Sequence, residues 1–382
     1  MPRALIVGAG IGGLAAALAL KPQGWTVEVF ERAASARELG FALLLAPNAM
    51  HALGALGLAD TARRGGAVAE HGEMRRPDGT TLRRFDTAAA RTALQEDTVC
   101  ILRPVLHGAL LEAVGVEHVA LASTVTRFSA RHDGVEATLA DGRTAHGDIL
   151  IGADGVGSLV RRHLHGDEAP PRPSGLLAIR GVARNVTHHL GGMSGAQYFG
   201  RGIEAGVAKA GEQEVYWYLS LRIDRLPLVT RDPLTLASRI AAGFHEPLRA
   251  IIRATTPDDL RLDELFERDP LDRWGDRRVT LLGDAAHPML PHAGQGAAQA
   301  LEDAVTLAAA LRKHPAPEDA LRAYERVRAT RTRAVVQLAR RNATMGSIEN
   351  PVACWLRDHV IRFMPQSVIL KSLVALARPP AP

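Results

Sequence analysis

The chain begins with two apolar runs separated by glycines, in the pattern of a βαβ unit. Residues 3 to 8, RALIVG, are apolar after the first position, and residues 26 to 32, TVEVFER, form the next such run. Between them, LAAALALKPQG carries helix-forming residues and ends at a glycine. Short apolar runs bounded by glycine are typical of buried strands, and Ala- and Leu-rich segments favour helix. We therefore predict strand, helix and strand in this order.

Residues 118 to 154 alternate between apolar and polar positions, which is the period of a half-buried strand. The alternation is broken at Asp133-Gly134 and at Asp141-Gly142, and Asp-Gly is a favoured hairpin turn. The segment therefore predicts an antiparallel meander of three strands. Its last apolar piece, DILIGAD, predicts that the chain then returns to the first sheet.

A Pro-bounded region from about 170 to 271 has a different pattern, in which strand-like pieces precede helical segments. The strand-like pieces are residues 176 to 183, 196 to 200 and 215 to 222. This region predicts a second sheet that carries its own layer.

After residue 271 the pattern returns to that of the first domain. RRVTLLGD at 277 to 284 predicts a buried strand, and GAAQALEDAVTLAAALRK has apolar residues at the helical period. Two further helical stretches are predicted at 317 to 345 and 352 to 376.

Bulk properties narrow the classes of protein to consider. The 382 residues are 47% hydrophobic and 23% charged, which is typical of a globular protein with a large core. The N-terminus lacks a signal-peptide pattern and no apolar run approaches the roughly 20 residues that cross a bilayer. We therefore expect a cytoplasmic protein without an integral membrane segment, whose apolar segment SVILKSLVALA docks on its own domain.

Charge and cysteine content exclude two more classes. The formal net charge is +5, but Arg residues are scattered among Asp and Glu instead of forming a stripe, which argues against a nucleic-acid partner. Cys100 and Cys354 are far apart, with no Cys or His at metal-ligand spacing. We expect neither a disulfide nor a metal site, and the oligomeric state is not indicated.

Gly8, Gly10 and Gly13 form a G-x-G-x-x-G pattern between the first predicted strand and helix. Such a loop lets the backbone approach a pyrophosphate at a helix N-terminus. Glu31 ends the next strand about 20 residues later, where an acid accepts hydrogen bonds from a ribose. Arg32 beside it is either a neighbour of the adenine or phosphate, or a surface residue. The predicted dinucleotide-binding residues here are Gly8, Gly10, Ile11, Gly12, Gly13, Glu31 and Arg32.

A second glycine-rich helix start lies far along the chain, in GDAAHPMLPHAGQGAAQALED at 283 to 303. Gly283-Asp284 at a strand end offers a carboxylate for polyol hydroxyls. Gly294-Gln295-Gly296, followed by Ala297, opens a helix whose dipole and free amides favour negative charge. A reduced flavin carries negative charge near N1 and O2, so the two glycine loops together predict FAD.

Three motifs resemble those of the class A flavoprotein monooxygenases, the FAD-dependent aromatic hydroxylases of the p-hydroxybenzoate and salicylate hydroxylase type. The first is the glycine loop with its acid, followed by ELGFALLLAPNAMHALGALGL. The second is GADGVGSLVRR at 152 to 162, and the third is GDAAHPMLPHAGQG at 283 to 296. They occur in the family's order and span most of the chain.

The resemblance implies roles for individual residues. Asp154, with a later Arg, would help to hold the pyrophosphate region and bear on NAD(P)H use. Arg103 in ILRPVLHGAL would open a helix and reach the phosphates. Asp284 would contact the ribityl chain, and Pro291 would lie beside the flavin ring.

The chain departs from the family pattern after GQG, and one family residue has no clear counterpart. Ala297-Ala298 stands where relatives often carry Ala-Asn or Gly-Met, which keeps the backbone donors but removes a possible side-chain contact. The sequence does not decide whether Arg37 takes the place of the family's flavin-side Arg.

The resemblance also implies the reaction. NADPH or NADH would reduce FAD, O2 would add at flavin C4a, and the hydroperoxide would hydroxylate or epoxidise an aromatic or other electron-rich small molecule. The cofactor carries this chemistry, while the protein supplies a dry pocket and orients the substrate. No side-chain nucleophile is needed.

The predicted fold is α/β: a Rossmann-type FAD-binding domain with an antiparallel meander, a second sheet-based substrate domain, and C-terminal helices. The FAD-binding domain is expected to be discontinuous, because the second sheet interrupts it. The predicted boundaries are 1–72, 97–168 and 272–345 for the FAD-binding domain, 73–96 and 169–271 for the substrate domain, and 346–382 for the C-terminal helices.

Strand alternation gives candidates for the substrate pocket, since some side chains of the second sheet must face the flavin. They are Arg180, Phe199, Tyr216, Trp217 and Tyr218; for each, ordinary packing within the sheet is the alternative. His287 matches a structural motif position, whereas His292, directly after Pro291, is a candidate for a catalytic or binding role.

Two alternatives to a monooxygenase stay open. An FAD-dependent reductase on the same fold would not incorporate oxygen from O2, and a flavin-binding redox sensor without turnover would be reduced very slowly by NAD(P)H. Halogenases of this group carry W-x-W-x-I-P, and the tryptophans of this chain form no such pair.

Overall fold

The fold is described from a computed structural model over residues 1–35, 41–166, 168–225 and 232–378, so Arg37 lies outside the described residues. Its strands are, in chain order, β1 (Arg3–Val7), β2 (Thr26–Phe30), β3 (Ala42–Leu45), β4 (Gly66–Val68), β5 (His71–Arg75), β6 (Thr81–Asp86), β7 (Val99–Leu102), β8 (Val119–Ala120), β9 (Val125–Ala130), β10 (Val135–Leu139), β11 (Thr144–Gly147), β12 (Ile149–Gly152), β13 (Arg172–Arg184), β14 (Gly195–Phe199), β15 (Ile203–Lys209), β16 (Glu214–Arg222), β17 (Leu260–Glu267) and β18 (Val279–Leu281).

Helices alternate with the strands in the first half of the chain and dominate its end. They are, in chain order, α1 (Ile11–Leu20), α2 (Pro47–Ala55), α3 (Ala59–Gly65), α4 (Ala88–Leu94), α5 (Arg103–Val114), α6 (Leu159–Leu164), α7 (Pro233–Ala241), α8 (Leu248–Arg253), α9 (Gly296–Lys313), α10 (Pro317–Gly346), α11 (Pro351–Phe363) and α12 (Gln366–Ala377). The predicted α/β fold class is confirmed.

The first sheet is parallel, with strand order β18-β12-β1-β2-β8. Its central strand β1 is buried on both faces, and Ala4, Leu5 and Ile6 are fully inaccessible to solvent. Burial on both faces explains why this strand reads as a continuous apolar run instead of an alternation. The predicted strand, helix and strand at the N-terminus are confirmed as β1, α1 and β2.

The predicted meander is confirmed as the antiparallel sheet β11-β10-β9. The chain reverses at both Asp-Gly pairs, and Gly142 has a left-handed φ of 87°. The chain then returns through β12 to pair with β1, as expected. A further small sheet, β3-β7-β4, is antiparallel.

The second sheet has seven strands in the order β17-β13-β16-β15-β14-β5-β6. Its pairs are antiparallel except for β14 with β5. Helices α7 and α8 cover one face and bury Trp217 against an apolar cluster. The opposite face of β13 to β16 borders a cavity. The predicted division into domains stays a prediction.

The C-terminal helical prediction is half correct. Helix α10 matches the predicted stretch, but residues 352 to 376 form two helices, α11 and α12, bent by 91°. Met364 precedes Pro365 and has an extended ψ of 128°, because a residue before proline is pushed out of the helical region. Among the described residues no single helix is long and apolar enough to cross a membrane, although the bent pair meets the length and composition criteria together.

Candidate cofactor and substrate site

A cavity of about 1070 Å³ lies between the carboxyl ends of the first sheet and the open face of the seven-stranded sheet. Ligands of open α/β sheets bind at these strand ends. The cavity wall includes the β1–α1 loop, the end of β2, the start of α9 and the inner residues of β13 to β16. Helix α12 closes another side.

The first glycine loop is tightly folded against the sheet. Gly8 has φ of 105°, and a Cβ there would lie 2.4 Å from the Ala153 carbonyl oxygen. A Cβ on Gly13 would lie 1.9 Å from the Gly8 oxygen. Gly8, Gly10, Ile11 and Gly12 line the cavity. Gly13 does not: it allows α1 to pack closely on the loop, which is the physical reason for glycine at this position.

Glu31 and Arg32 line the cavity at the end of β2. The Glu31 carboxylate accepts hydrogen bonds of 2.9 Å from the Ala9 and Ala33 amides, so it holds the glycine loop. A carboxylate has about four acceptor sites, which leaves capacity for ribose hydroxyls. His107, a residue that the sequence did not single out, is buried and lies with Nε2 2.7 Å from the Ala9 carbonyl oxygen.

The GADGVGSLVRR segment builds a second part of the wall. Asp154 lines the cavity and accepts hydrogen bonds from Ser158 Oγ and the Leu159 amide at the start of α6. Burial raises the pKa of Asp154 and these hydrogen bonds offset only part of that rise. Arg161 is fully buried and donates to the carbonyls of residues 285 and 286. The motif therefore also supports the turn that carries Asp284.

The second glycine loop supplies the opposite end of the cavity. Asp284 lies in the 3-10 turn Gly283–Ala285 and exposes its carboxylate to the cavity. The surrounding protein raises the pKa of this carboxyl through burial, while the charges of His287 and Arg103 act to lower it. The cavity-lining residues from this loop are Pro291, Gly294, Gln295, Gly296 and Ala297.

The set of polar groups fits FAD. Two helix N-termini, those of α1 and α9, face one cavity, and each favours negative charge. Acids stand at the two places where hydroxyls are expected, Glu31 for a ribose and Asp284 for a polyol. Cations line the intervening wall at Arg32, Arg103 and Arg162. That each predicted residue contacts FAD stays a prediction.

Comparison with known proteins agrees with this chemistry. The family model described as an FAD binding domain matches residues 2–339. Aurachin C monooxygenase/isomerase of Stigmatella aurantiaca is 34% identical over 94% of this chain and 94% of its own. The chain belongs to the FAD-dependent aromatic hydroxylases. The 3-hydroxybenzoate 6-hydroxylase 1 of Aquipseudomonas alcaligenes is 35% identical over 88% of this chain and 87% of its own.

Solved structures of the hydroxylase family share the whole fold. Klebsiella pneumoniae HpxO complexed with FAD and uric acid superposes with a TM-score of 0.93 at 28% identity, covering 99% of this chain and 97% of that one. The present protein is thus an FAD-dependent monooxygenase that acts on a small molecule, and FAD is its cofactor.

The side of the hydroxylase cavity formed by the seven-stranded sheet is polar and aromatic. Tyr216, Tyr218 and Arg180 line it from β16 and β13, and that they contact substrate stays a prediction. The two tyrosine rings stack with centroids 6.1 Å apart. Arg180 pairs with Asp263 at 2.5 Å and lies 5.4 Å from the centroid of the Phe41 ring, so its charge is already partnered.

Two predicted pocket residues lie elsewhere. Trp217 alternates with its tyrosine neighbours and faces α7 and α8, where Nε1 donates to Thr255 Oγ1 at 2.8 Å. Phe199 is on the cavity-facing side of β14 but beyond the cavity, because α11 covers that end of the strand. Its ring packs against Leu82 and Ile361 and lies 5.3 Å from the Arg357 guanidinium carbon.

Glu204 is a cavity residue that the sequence analysis missed. It is 3% exposed and accepts hydrogen bonds from Tyr218 Oη at 2.7 Å and from Gln197 Nε2 at 2.9 Å. Burial raises the pKa of Glu204, and the two donors offset only part of that rise. The signal was present in IEAGVAK, where the acid interrupts a strand of small and apolar residues.

His292 joins the second glycine loop to the seven-stranded sheet. Its Nε2 lies 2.9 Å from Ser220 Oγ on β16, and its carbonyl accepts from Asn342 Nδ2 on α10. Burial lowers the pKa of His292 to about 4, so the imidazole is neutral at pH 7. A neutral ring can position the loop and exchange hydrogen bonds, and its catalytic role, like that of Pro291, stays a prediction.

Behind the second glycine loop lies a buried network of charged side chains that includes His287. The His287 Nε2 lies 2.6 Å from Asp303 Oδ2, which also accepts from the Gly283 amide at 2.9 Å. Arg328 of α10, fully inaccessible to solvent, donates to Asp303 at 2.6 Å and also pairs with Glu302. The network therefore fixes the residue adjacent to Asp284, and His287 occupies the structural position predicted for it.

Proposed function

We propose that this monooxygenase uses NADPH or NADH and O2 to hydroxylate or epoxidise a polar aromatic small molecule. The observation that carries the proposal is that one side of the cavity suits FAD, while the other side presents Glu204, Gln197 and Tyr218. The names of relatives support the substrate class, since they include hydroxylases of 3-hydroxybenzoate, 6-hydroxynicotinate and urate. A cytoplasmic location stays a prediction.

In this proposal the residues of the chain bind FAD, orient the substrate and enclose both in the cavity. When bound, FAD supplies electron transfer and oxygen activation. Asp284 would hold the ribityl chain of the cofactor, and the N-terminus of α9 would face its ring and stabilise negative charge there. The aliphatic side chains of α12, among them Leu370 and Leu376, limit the access of water to the cavity. His292 keeps the second glycine loop at a fixed distance from β16.

Glu204 is proposed to bind the substrate through an N–H or O–H group. Its Oε1 is occupied by Tyr218 and Gln197, but a carboxylate retains further acceptor sites. A ring with a hydrogen-bond donor would restore the solvation that burial removes from this carboxylate. Tyr216 offers a stacking surface beside it. This arrangement selects a planar, polar ring over an aliphatic chain.

The function is tested with purified protein that contains FAD. NADPH and NADH oxidation is followed in air with a panel of hydroxybenzoates, hydroxypyridines, purines and quinolones, and product is analysed after reaction under ¹⁸O₂. We expect one ring compound to accelerate oxidation and to gain one labelled oxygen atom. Acceleration without label in product, or FAD that neither nucleotide reduces, would contradict the proposal in favour of a reductase or a redox sensor.

Replacing Glu204 with glutamine tests the substrate side. Loss of a charge-assisted hydrogen bond weakens binding by about 1.5–3 kcal/mol, so we expect the KM of the accelerating substrate to rise at least about tenfold. The rate of NADPH oxidation without substrate should not change. Glu212→Gln, an exposed change in the turn after β15, is the matched control. An unchanged KM in the Glu204→Gln protein would remove this residue from the substrate site.

A further inference from the structure

The outward face of α11 is apolar. Its side chains at i, i+3, i+4, i+8 and i+11 form one stripe, and each is at least half exposed. They are Val352 (73%), Trp355 (56%), Leu356 (57%), Val360 (50%) and Phe363 (70%). A surface helix normally turns such a stripe toward the core, so this helix presents to the exterior what is usually buried.

The inward face of the same helix carries charge. Arg357 is 6% exposed and donates to the carbonyls of Phe199 and Gly200, while Asp358 accepts from Arg76 at 2.7 Å. These contacts fix the helix on the seven-stranded sheet. The contacts of Arg357 and Asp358 therefore determine the orientation of the helix, and this orientation exposes the apolar stripe.

Helix α12 extends the apolar surface. Val368 and Leu373 are each 45% exposed, and Leu373 also lines the cavity together with Ile369, Leu370 and Leu376 of the same helix. The expected docking on the protein includes contacts with α4 and α2 and a hydrogen bond of 2.9 Å from Arg331 on α10 to the Leu376 carbonyl, and within the helix only Ala377 is buried. A helix that is apolar on several faces is typical of burial in a core or in lipid.

Exposed charge within residues 351–378 has one sign. The exposed ionisable side chains of residues 351–378 are Arg362, Lys371 and Arg378, and the acid Asp358 is buried. A two-fold contact between copies would bring these cations toward one another, which disfavours it. An anionic lipid surface complements them, and Trp355 has the amphipathic ring that favours the membrane interface.

We propose that α11 and α12 bind the surface of an anionic lipid bilayer. The stripe of α11 and the exposed side of α12 enter the interfacial region, and Arg362, Lys371 and Arg378 contact the headgroups. The helices lie along the surface as a peripheral anchor and leave the FAD-binding sheet in water. The cavity wall formed by α12 then faces the membrane. This binding does not depend on the oxygenation reaction proposed above.

The test uses the FAD-loaded full chain with vesicles of phosphatidylcholine alone or of an equimolar mixture with phosphatidylglycerol, because an anionic surface attracts basic side chains. We expect co-sedimentation only with the anionic vesicles, decreasing with salt. Trp355 is exposed whereas Trp217 and Trp274 are buried, so tryptophan emission should shift to the blue on binding.

Two variants assign the binding to this surface. Trp355→Ser with Phe363→Ser is expected to weaken vesicle binding at least about tenfold and to abolish the blue shift. Val116→Ser, at a residue 68% exposed on the short turn before β8, should bind as the parent does. FAD content and NADPH oxidation in buffer should match the parent in both, which separates this test from that of the function.

Three outcomes overturn the proposal: no binding to anionic vesicles, equal binding to both vesicle types, or unchanged binding by the double variant. Sedimentation velocity tests whether a second copy of the chain covers this surface instead. If the parent is a dimer that does not bind vesicles, and the double variant is a monomer, the surface belongs to a contact with a second copy of the chain.

Discussion

Replacing Arg328 with methionine is expected to destabilise the folded protein by about 3–5 kcal/mol. The guanidinium is the shared partner of Asp303 and Glu302, and all three side chains are almost completely buried. Methionine fills similar space but leaves two carboxylates without this cation. The melting temperature should fall on the order of 10 °C, and urea unfolding at pH 7 measures the free-energy change directly.

Arg326→Met is the matched control for this experiment. It makes the same chemical change two residues away on α10, but Arg326 is exposed. Its effect should stay within about 0.5 kcal/mol. If the two variants unfolded at the same urea concentration, the buried network would contribute nothing beyond ordinary surface charge.

Lowering the pH should reveal how much the same buried network contributes to the free energy of unfolding. Burial acts to raise the pKa of Asp303, but His287 and Arg328 outweigh it and lower this pKa to about 2. The unfolded value is about 3.9. The contribution of the ionised carboxylate is therefore complete above about pH 4 and is lost as the pH falls toward 2. Between pH 4 and pH 3, the parent should lose more stability than Arg328→Met, whose Asp303 binds protons more readily in the folded state.

Replacing Gly8 with alanine is expected to weaken FAD binding about 100-fold or more. The φ of 105° is unfavourable for any residue with a Cβ, and the added carbon would lie 2.4 Å from the Ala153 oxygen. The ends of β1 and β12 would have to separate, which displaces the amides that face the pyrophosphate. Titration of the apoprotein with FAD, followed by flavin fluorescence, gives the dissociation constant.

Gly24→Ala separates backbone strain from the clash. Gly24 has a similar left-handed φ of 81°, but a Cβ there meets nothing within 4 Å and lies away from the cavity. This variant should lose some stability and keep the FAD affinity of the parent. A Gly8→Ala protein that bound FAD as tightly as Gly24→Ala would show that the glycine loop tolerates the displacement.

Local signals were sufficient for much of the fold and for the cofactor loops. The apolar run of β1, the Asp-Gly turns of the meander and the two glycine loops each depend on neighbouring residues, so their structure follows from short segments. The break at Pro365 was equally local, but the apolar pattern on both sides of it suggested one continuous helix.

Long-range contacts were not predictable in this way. Alternation on β15 indicates that Glu204 and Val207 face opposite sides, but only the packing of α7 and α8 decides which side meets the cavity. Arg328 and Asp303 lie on separate helices 25 residues apart, and a single sequence carries no sign that they meet. The prediction that Phe199 lines the pocket failed for the same reason, since a distant helix, α11, covers this side chain.

The placement of β18 beside β12 has a consequence for how the protein acquires its cofactor. Synthesis proceeds from the N-terminus, and this strand, with the Asp284 turn and the start of α9 that follow it, comes from the last third of the chain. A growing polypeptide that has completed β12 already contains the loop for the adenylate half, yet it has no partner for the flavin half. Stable capture of the whole cofactor must therefore await emergence of the Asp284 turn and the start of α9 from the ribosome, after most of both sheets has been synthesised.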